Sequence, residues 1–242
     1  MFYYYGYPSL TLQLFLIAAA AVPAIVLMVT VYKSDRMEKE SRQLLFALAR
    51  AGVLATLIAM VLERIGERLL VWVVDSETVF NLLLYFVVVA FSEEGAKYFV
   101  MKRRTWRNPE FNCQYDGVVY AVFTSLGFAL WENVSYVLTY GFGTALIRAV
   151  TAIPGHACLG VFMGVFYGLA KKAENRWQNR DVSRVYRVLA VAVPAVLHGA
   201  YDYIATMPDD GATAVFFGFV AVLFAVSFIL VRRAAKNDRF IN

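Results

Sequence analysis

Charge is in short supply along this chain. Of 242 residues only 17% are Asp, Glu, Lys or Arg, whereas 60% are hydrophobic, and mean hydropathy is +0.58. A soluble domain carries about a quarter charged residues, so a soluble enzyme is excluded. Cysteine is nearly absent. Cys113 and Cys158 are too few for a disulfide framework. One falls in a basic loop and the other in an apolar run, so both are expected to be reduced. No internal repeat and no low-complexity segment is present. The first apolar segment lacks a basic n-region and is long enough to span a bilayer. It reads as a retained helix rather than a cleaved signal peptide. The net charge of +5 does not argue for nucleic acid, because the basic residues sit in loops where membrane topology explains them.

What is present is apolar length. A span needs about 20 mostly apolar residues, and seven segments qualify: Leu10–Tyr32, Leu44–Leu62, Thr78–Met101, Gly117–Tyr140, Thr144–Ala170, Val188–Met207 and Ala212–Val231. The expected fold is all-α, a polytopic transmembrane helical bundle of about seven spans. It forms a single integral-membrane domain over 1–242, with a functional core at about 78–207. Phe2, Tyr3, Tyr4, Tyr5 and Tyr7 precede the first span as an interfacial aromatic anchor. Arg50 can snorkel from the second span. The stretch Glu63–Glu77 mixes charge with apolar residues and reads as a short interfacial helix between spans two and three. Basic residues follow spans one, three, five and seven, among them Lys33, Arg104, Arg176 and Arg233. The opposite side has only Arg64, Arg68 and Arg148. The positive-inside rule then places the N-terminus outside and the C-terminus in the cytoplasm.

Against this apolar background the polar residues at depth stand out. Span three carries Glu93, Glu94 and Lys97; span four Glu132 and Asn133; span five His156; span six His198 and Asp202. A charge at the bilayer centre costs roughly 2.5–3.5 kcal/mol even on insertion scales. Lys97 lies one helical turn from both glutamates and can neutralise one of them. The other needs a different explanation. At 1.5 Å rise per residue, Glu93, His198, His156 and Glu132 lie ~12, ~15, ~21 and ~22 Å in from the basic ends of their spans. All four therefore fall in the middle half of the bilayer and can converge. The two histidines are all the histidine the chain has. One intramembrane histidine is as readily a helix–helix hydrogen bond as a site; two with three carboxylates on four helices point to chemistry. Two His with one Glu and a water is a catalytic zinc set, and a further glutamate can act as base on the bound water. Gly155, Gly160, Gly164 and Gly168 line span five, Gly127 precedes Glu132 and Gly199 follows His198, so helices can approach closely there. Pro154 is expected to kink or open the helix beside His156. Asp202 stands one turn after His198, where it can orient the imidazole or join a metal shell, or simply sit near the outer interface.

The ordered set Glu93-Glu94-x-x-Lys97, Phe128-x-x-x-Glu132-Asn133, Pro154-Gly155-His156 and His198-Gly199-x-Tyr201-Asp202 resembles the PrsW family of intramembrane proteases. That family is similar in turn to the CAAX prenyl endopeptidases and bacteriocin-processing enzymes. Asp116-Gly117 and Gly127-Phe128-Ala129 also resemble the family. The resemblance implies peptide-bond hydrolysis in or at the edge of a prokaryotic cell membrane, on a transmembrane or membrane-proximal protein such as a single-pass anti-sigma factor. The CAAX relatives have histidine where Glu132 stands and arginine where Lys97 stands, so prenyl-protein substrates are less expected. The resemblance is compatible with Zn2+ chemistry and with a metal-free glutamate mechanism. On this reading Glu93 is the base, Glu94 is held by Lys97, and Glu132, His156 and His198 are the zinc ligands. Asn133 or Asp202 supports the shell. Intramembrane Glu and His chains also serve as proton relays, so a proton-coupled transporter is the competing expectation. The missing repeat argues against it. A non-catalytic scaffold that uses the cluster as glue is least expected, because interhelical polar contacts average only about 0.6 kcal/mol.

Overall fold

A computed structural model describes residues 10–35, 37–207 and 210–241. The aromatic anchor at Phe2–Tyr7 lies outside them. The described residues form helices α1 (Leu10–Ser34), α2 (Arg42–Val73), α3 (Glu77–Leu83), a π-helical segment (Leu84–Val89), α4 (Ala90–Thr105), α5 (Asp116–Tyr140), α6 (Phe142–Val150), α7 (Ala152–Asn175), α8 (Arg180–Ala205) and α9 (Asp210–Lys236). Six stretches among them are long and apolar enough to cross a membrane: Arg42–Val73, Glu77–Thr105, Asp116–Tyr140, Leu146–Asn175, Arg180–Ala205 and Gly211–Lys236. Helix α1, 25 residues long, carries the first apolar segment of the sequence. The protein is a multi-pass membrane helical bundle. Large apolar side chains such as Leu57, Trp72, Phe99, Val222 and Phe228 point outward, as the faces of a bundle in lipid do.

Two elements differ from the sequence-based expectation. The stretch from Glu63 is not a separate interfacial helix. As far as Val73 it is the continuation of α2. Its charged residues interrupt the hydropathy but are good helix formers, so the backbone ladder runs on until the extended residues Val74 and Ser76. At 32 residues and 1.5 Å each, α2 is roughly 48 Å long and outruns a hydrocarbon core of ~30 Å. The fifth span is divided into α6 and α7 at Thr151. Pro154 has no N–H to donate to Val150, so the α-ladder fails at that point. A new helix starts with Pro154 in its first turn, where the missing donor costs nothing. The expected opening beside His156 is therefore a one-residue interruption, with the Thr151 amide still donating to Ile147 and the Gly155 amide to Thr151.

Helix α5 is the central rod, with α1, α2 and α7 packed around it. Lipid supplies no hydrophobic drive between helices, so close contact must come from small residues. A Cβ on Gly52 of α2 would fall 2.0 Å from the Thr124 carbonyl oxygen, and one on Gly127 of α5 would fall 2.1 Å from that of Ala49. These two helices meet backbone to backbone, which is possible only with glycine on both sides. At the basic end the bundle is closed by aromatic rings. Tyr167 lies 5.1 Å from Phe111, 5.2 Å from Trp106 and 5.8 Å from Tyr98, centroid to centroid. The C-terminal tail docks on the same end. The Gln114 amide donates to the Arg239 carbonyl (3.2 Å), the Ile241 amide donates to the Asn112 carbonyl (2.8 Å), and Ile241 is buried. Cys113 and Cys158 are free and buried.

Candidate active site

Four helices deliver the polar residues to one place. Glu93, Glu94 and Lys97 come from α4, Glu132 and Asn133 from α5, His156 from α7, and His198 and Asp202 from α8. Just before Glu93 the π-helical segment widens the helix, as π-bulges often do at functional sites. Its Phe86 packs against Gly199, where a Cβ would lie 2.8 Å from the Phe86 Cα. That contact draws His198 in toward the glutamates.

Lys97 is wholly buried and sits at the centre. Its Nζ donates to Glu93 Oε2 (3.0 Å) and to Glu94 Oε1 (2.8 Å), and lies 3.1 Å from His156 Nδ1. The Phe128 ring completes the enclosure, 4.0 Å from the ammonium, where a cation–π contact stabilises the charge. An ammonium only donates, so His156 Nδ1 accepts and Nε2 carries the hydrogen. Nε2 then donates to Glu132 Oε2 at 2.8 Å. Glu132 is also paired with Arg148 (Nη2 to Oε2, 2.9 Å). The Arg148 Nε donates to Asn133 Oδ1 at 3.2 Å, and its guanidinium lies 4.0 Å above the Tyr136 ring.

His198 faces the glutamate pair from the other side. Its Nδ1 lies 3.1 Å from Glu94 Oε1; its Nε2 lies 3.8 Å from Glu93 Oε2 and 3.4 Å from Asp202 Oδ2. The two imidazoles are perpendicular, 5.5 Å apart. Glu93, Glu132, His156, His198 and Asp202 line one cavity of about 500 Å3. Glu94 does not line it; it is fully enclosed behind Glu93. The cavity continues past Met60 and Glu63 of α2, Tyr136 and Arg148 to Thr206, toward the end of the bundle opposite the aromatic closure.

Residues 39–231 match the family described as PrsW family intramembrane metalloprotease. The Protease PrsW of Halalkalibacterium halodurans is 30% identical over 224 residues, 93% of this chain and 99% of that protein. The Protease PrsW of Geobacillus kaustophilus is 32% identical over 190 residues, covering 78% and 79% of the two chains. That of Bacillus subtilis is 30% identical over 192 residues, covering 79% and 83%. The chain belongs to the PrsW family. It is a membrane-embedded protease of that family. No solved structure matches it.

Each motif residue of this PrsW-family chain has a definite place. The proposed zinc set of Glu132, His156 and His198 is not the tightest donor group. Among the described residues, the group whose donor atoms all lie within 4.8 Å of one another is Glu93, Glu94 and His198. Glu94 Oε2 is buried there with no hydrogen-bond partner among the described residues, and two carboxylates with an imidazole suit zinc, so this group fits a metal. Asp202 is within reach of His198, as its spacing implied, and Asn133 stands behind Glu132 on Arg148. Sequence reasoning missed two cavity residues. Arg148 read only as a stray cation of the sparsely basic side. Glu63 reads as part of an interfacial helix by hydropathy, although Thr56, Met60 and Glu63 keep helical spacing and share one face of α2.

Proposed function

We propose that the chain hydrolyses a peptide bond of a transmembrane or membrane-proximal protein in the cavity beside Glu93. The supporting observation is that Glu93, Glu132, His156, His198 and Asp202, from four helices, line one cavity backed by Lys97. An anti-sigma-factor-like single-pass protein is the substrate class implied by the family resemblance. The name Protease of the relatives favours hydrolysis over proton-coupled transport. The cavity leads to the end remote from the basic loops. With the N-terminus outside and the C-terminus cytoplasmic, substrate enters from the extracytoplasmic side.

Glu93 is the favoured base, because it is the member of the pair that lines the cavity. Its 3.8 Å separation from His198 Nε2 is too long for a direct hydrogen bond and suits a bridging water. That water gives its proton to Glu93, its oxygen adds to the scissile carbonyl, and the proton passes to the leaving amine. Lys97 and the His198 imidazole hold Glu94 as a fixed anion behind. Arg148 and His156 hold Glu132 at the wall. In the alternative with zinc, Glu93, Glu94 and His198 would be its ligands, and the ion would supply a Lewis acid for the carbonyl and a more acidic bound water in place of the Glu93 base.

Elemental analysis and cleavage of a single-pass substrate in proteoliposomes test this together. Glu93→Gln is expected to lower cleavage by about 10²–10⁴-fold, the usual worth of a general base, with folding retained. His198→Ala is expected to lose zinc and His156→Ala to keep it. Zinc loss in both would restore the Glu132–His156–His198 set. Active metal-free wild type would leave the glutamate mechanism alone. Wild-type cleavage by Glu93→Gln would sink the assignment of the site.

A further inference from the structure

A second cavity, of about 590 Å3, lies at the basic end between the C-terminal halves of α7 and α9. Lys172, Arg176, Arg233 and Arg239 converge on it from three separate elements: the end of α7, the last turn of α9 and the docked tail. None of the four forms an ion pair with a described carboxylate. Among the described residues Lys172 donates to the neutral Gln114 Oε1, at 3.1 Å, and lies 5.6 Å from the centre of the Trp177 ring. The carboxylates nearest in sequence face elsewhere. Asp238 Oδ1 accepts from the Tyr115 and Arg239 amides, and Glu174 Oε2 from the Ser183 hydroxyl. Positive-inside topology accounts for basic loops. It does not account for four cations without acid partners around one concavity.

The floor of the cavity is aliphatic, Leu169 and Leu230 among it, and Trp177 stands at its rim, 47% exposed. Exposed indoles mark the headgroup level of a bilayer. The α9 surface that continues from Leu230 on the same face, at Val226 and Val222, is exposed and apolar, as an acyl-chain path must be. We propose that this cavity binds the phosphodiester headgroup of an anionic glycerophospholipid, with its acyl chains along α9. The chemistry shared with free phosphate is a phosphate oxyanion among Lys and Arg donors. The apolar floor and the continuous lipid-facing wall select the lipid. A headgroup bridging Lys172, Arg233 and Arg239 would tie α7, α9 and the tail together. The inference does not depend on the protease reading, since no residue of the catalytic cavity takes part.

Native mass spectrometry of the detergent-purified full chain tests it, with dioleoyl phosphatidylglycerol, dioleoyl phosphatidylcholine and inorganic phosphate added separately. Phosphatidylglycerol is expected to be retained in preference to phosphatidylcholine. Each basic residue near an anionic headgroup contributes about fivefold, so Arg176→Gln with Arg233→Gln should weaken retention roughly 25-fold. Arg103→Gln with Arg104→Gln, exposed basic residues away from the cavity, should leave retention unchanged. An equal loss in both double variants, equal retention of the two lipids, or binding of phosphate without lipid would each overturn the proposal. Unchanged melting of both variants in zwitterionic detergent checks that they fold.

Discussion

Arg148 ties the polar network together more tightly than its sequence position implied. One guanidinium reaches Glu132 and Asn133 at once and lies over Tyr136. A planar fork can do this and an ammonium cannot. Arg148→Lys should keep the charge but lose the second bond, leaving Glu132 and hence His156 less well oriented. In the proteoliposome assay kcat should fall more than tenfold for Arg148→Gln and less for Arg148→Lys, with KM little changed. A change confined to KM would make Arg148 a substrate contact instead of a positioning residue. Lys97 shows the opposite relation between sequence and structure. Its i+3 and i+4 spacing to the glutamates was legible, and both bonds form. Its contacts with His156 and Phe128 were not legible, because nothing in a helical period tells which neighbouring helix a residue meets.

Two breaks in helical regularity shape the site. The π-helical segment before α4 seats Phe86 against Gly199, and the break at Thr151 places His156 in the second turn of a new helix. Pro154 announced the second break. Nothing in Leu84–Val89 announced the first, since an extra residue per turn leaves no compositional mark. Gly199→Ala would drive a Cβ to within 2.8 Å of the Phe86 backbone. Overpacking of this kind costs about 1–3 kcal/mol. The variant should melt earlier and lose cleavage in step, while Gly218→Ala, where a Cβ meets nothing within 4 Å, should match wild type on both measures. An unchanged Gly199→Ala would show that α8 does not need this contact.

For the bundle as a whole, orientation and acidity can be tested at the basic end. Cys113 is only 1% exposed, and burial pushes its thiol pKa up, so it is a poor topology label. Lys236→Cys places a thiol at an exposed position. An impermeant reagent should label it only after the membrane is opened; labelling in intact cells would reverse the topology. Glu40, between α1 and α2, is buried and accepts from the Tyr120 hydroxyl at 2.6 Å. Burial chiefly, with Glu110 and Asp35 adding repulsion, raises its pKa to about 7 despite the Tyr120 and Asp116 hydrogen bonds. A raised carboxyl pKa gives stability that is complete below the unfolded value near 4.5 and is lost as pH rises through about 7. Glu40→Gln should therefore raise the melting temperature at pH 8 and change it little at pH 4. The same gain at both pH values would mean that the carboxylate is not the cause.

The sequence by itself determined what depends on one dimension. Long apolar runs made membrane helices, because a backbone in lipid must satisfy its own hydrogen bonds. Rise per residue put Glu93, Glu132, His156 and His198 at similar depths, and the ordered motifs pointed to the PrsW family. Only the tertiary structure decided what depends on rotation between helices. It turned Glu93 toward the cavity and Glu94 away from it. It drew the tightest donor group from Glu93, Glu94 and His198, gave Glu132 to Arg148 and His156, and brought Glu63 to the cavity wall on an unbroken α2. Helical spacing fixes angles within one helix. The angles between helices come from where the small residues let two backbones touch, as Gly52 and Gly127 do, and that pairing is not written in either helix alone.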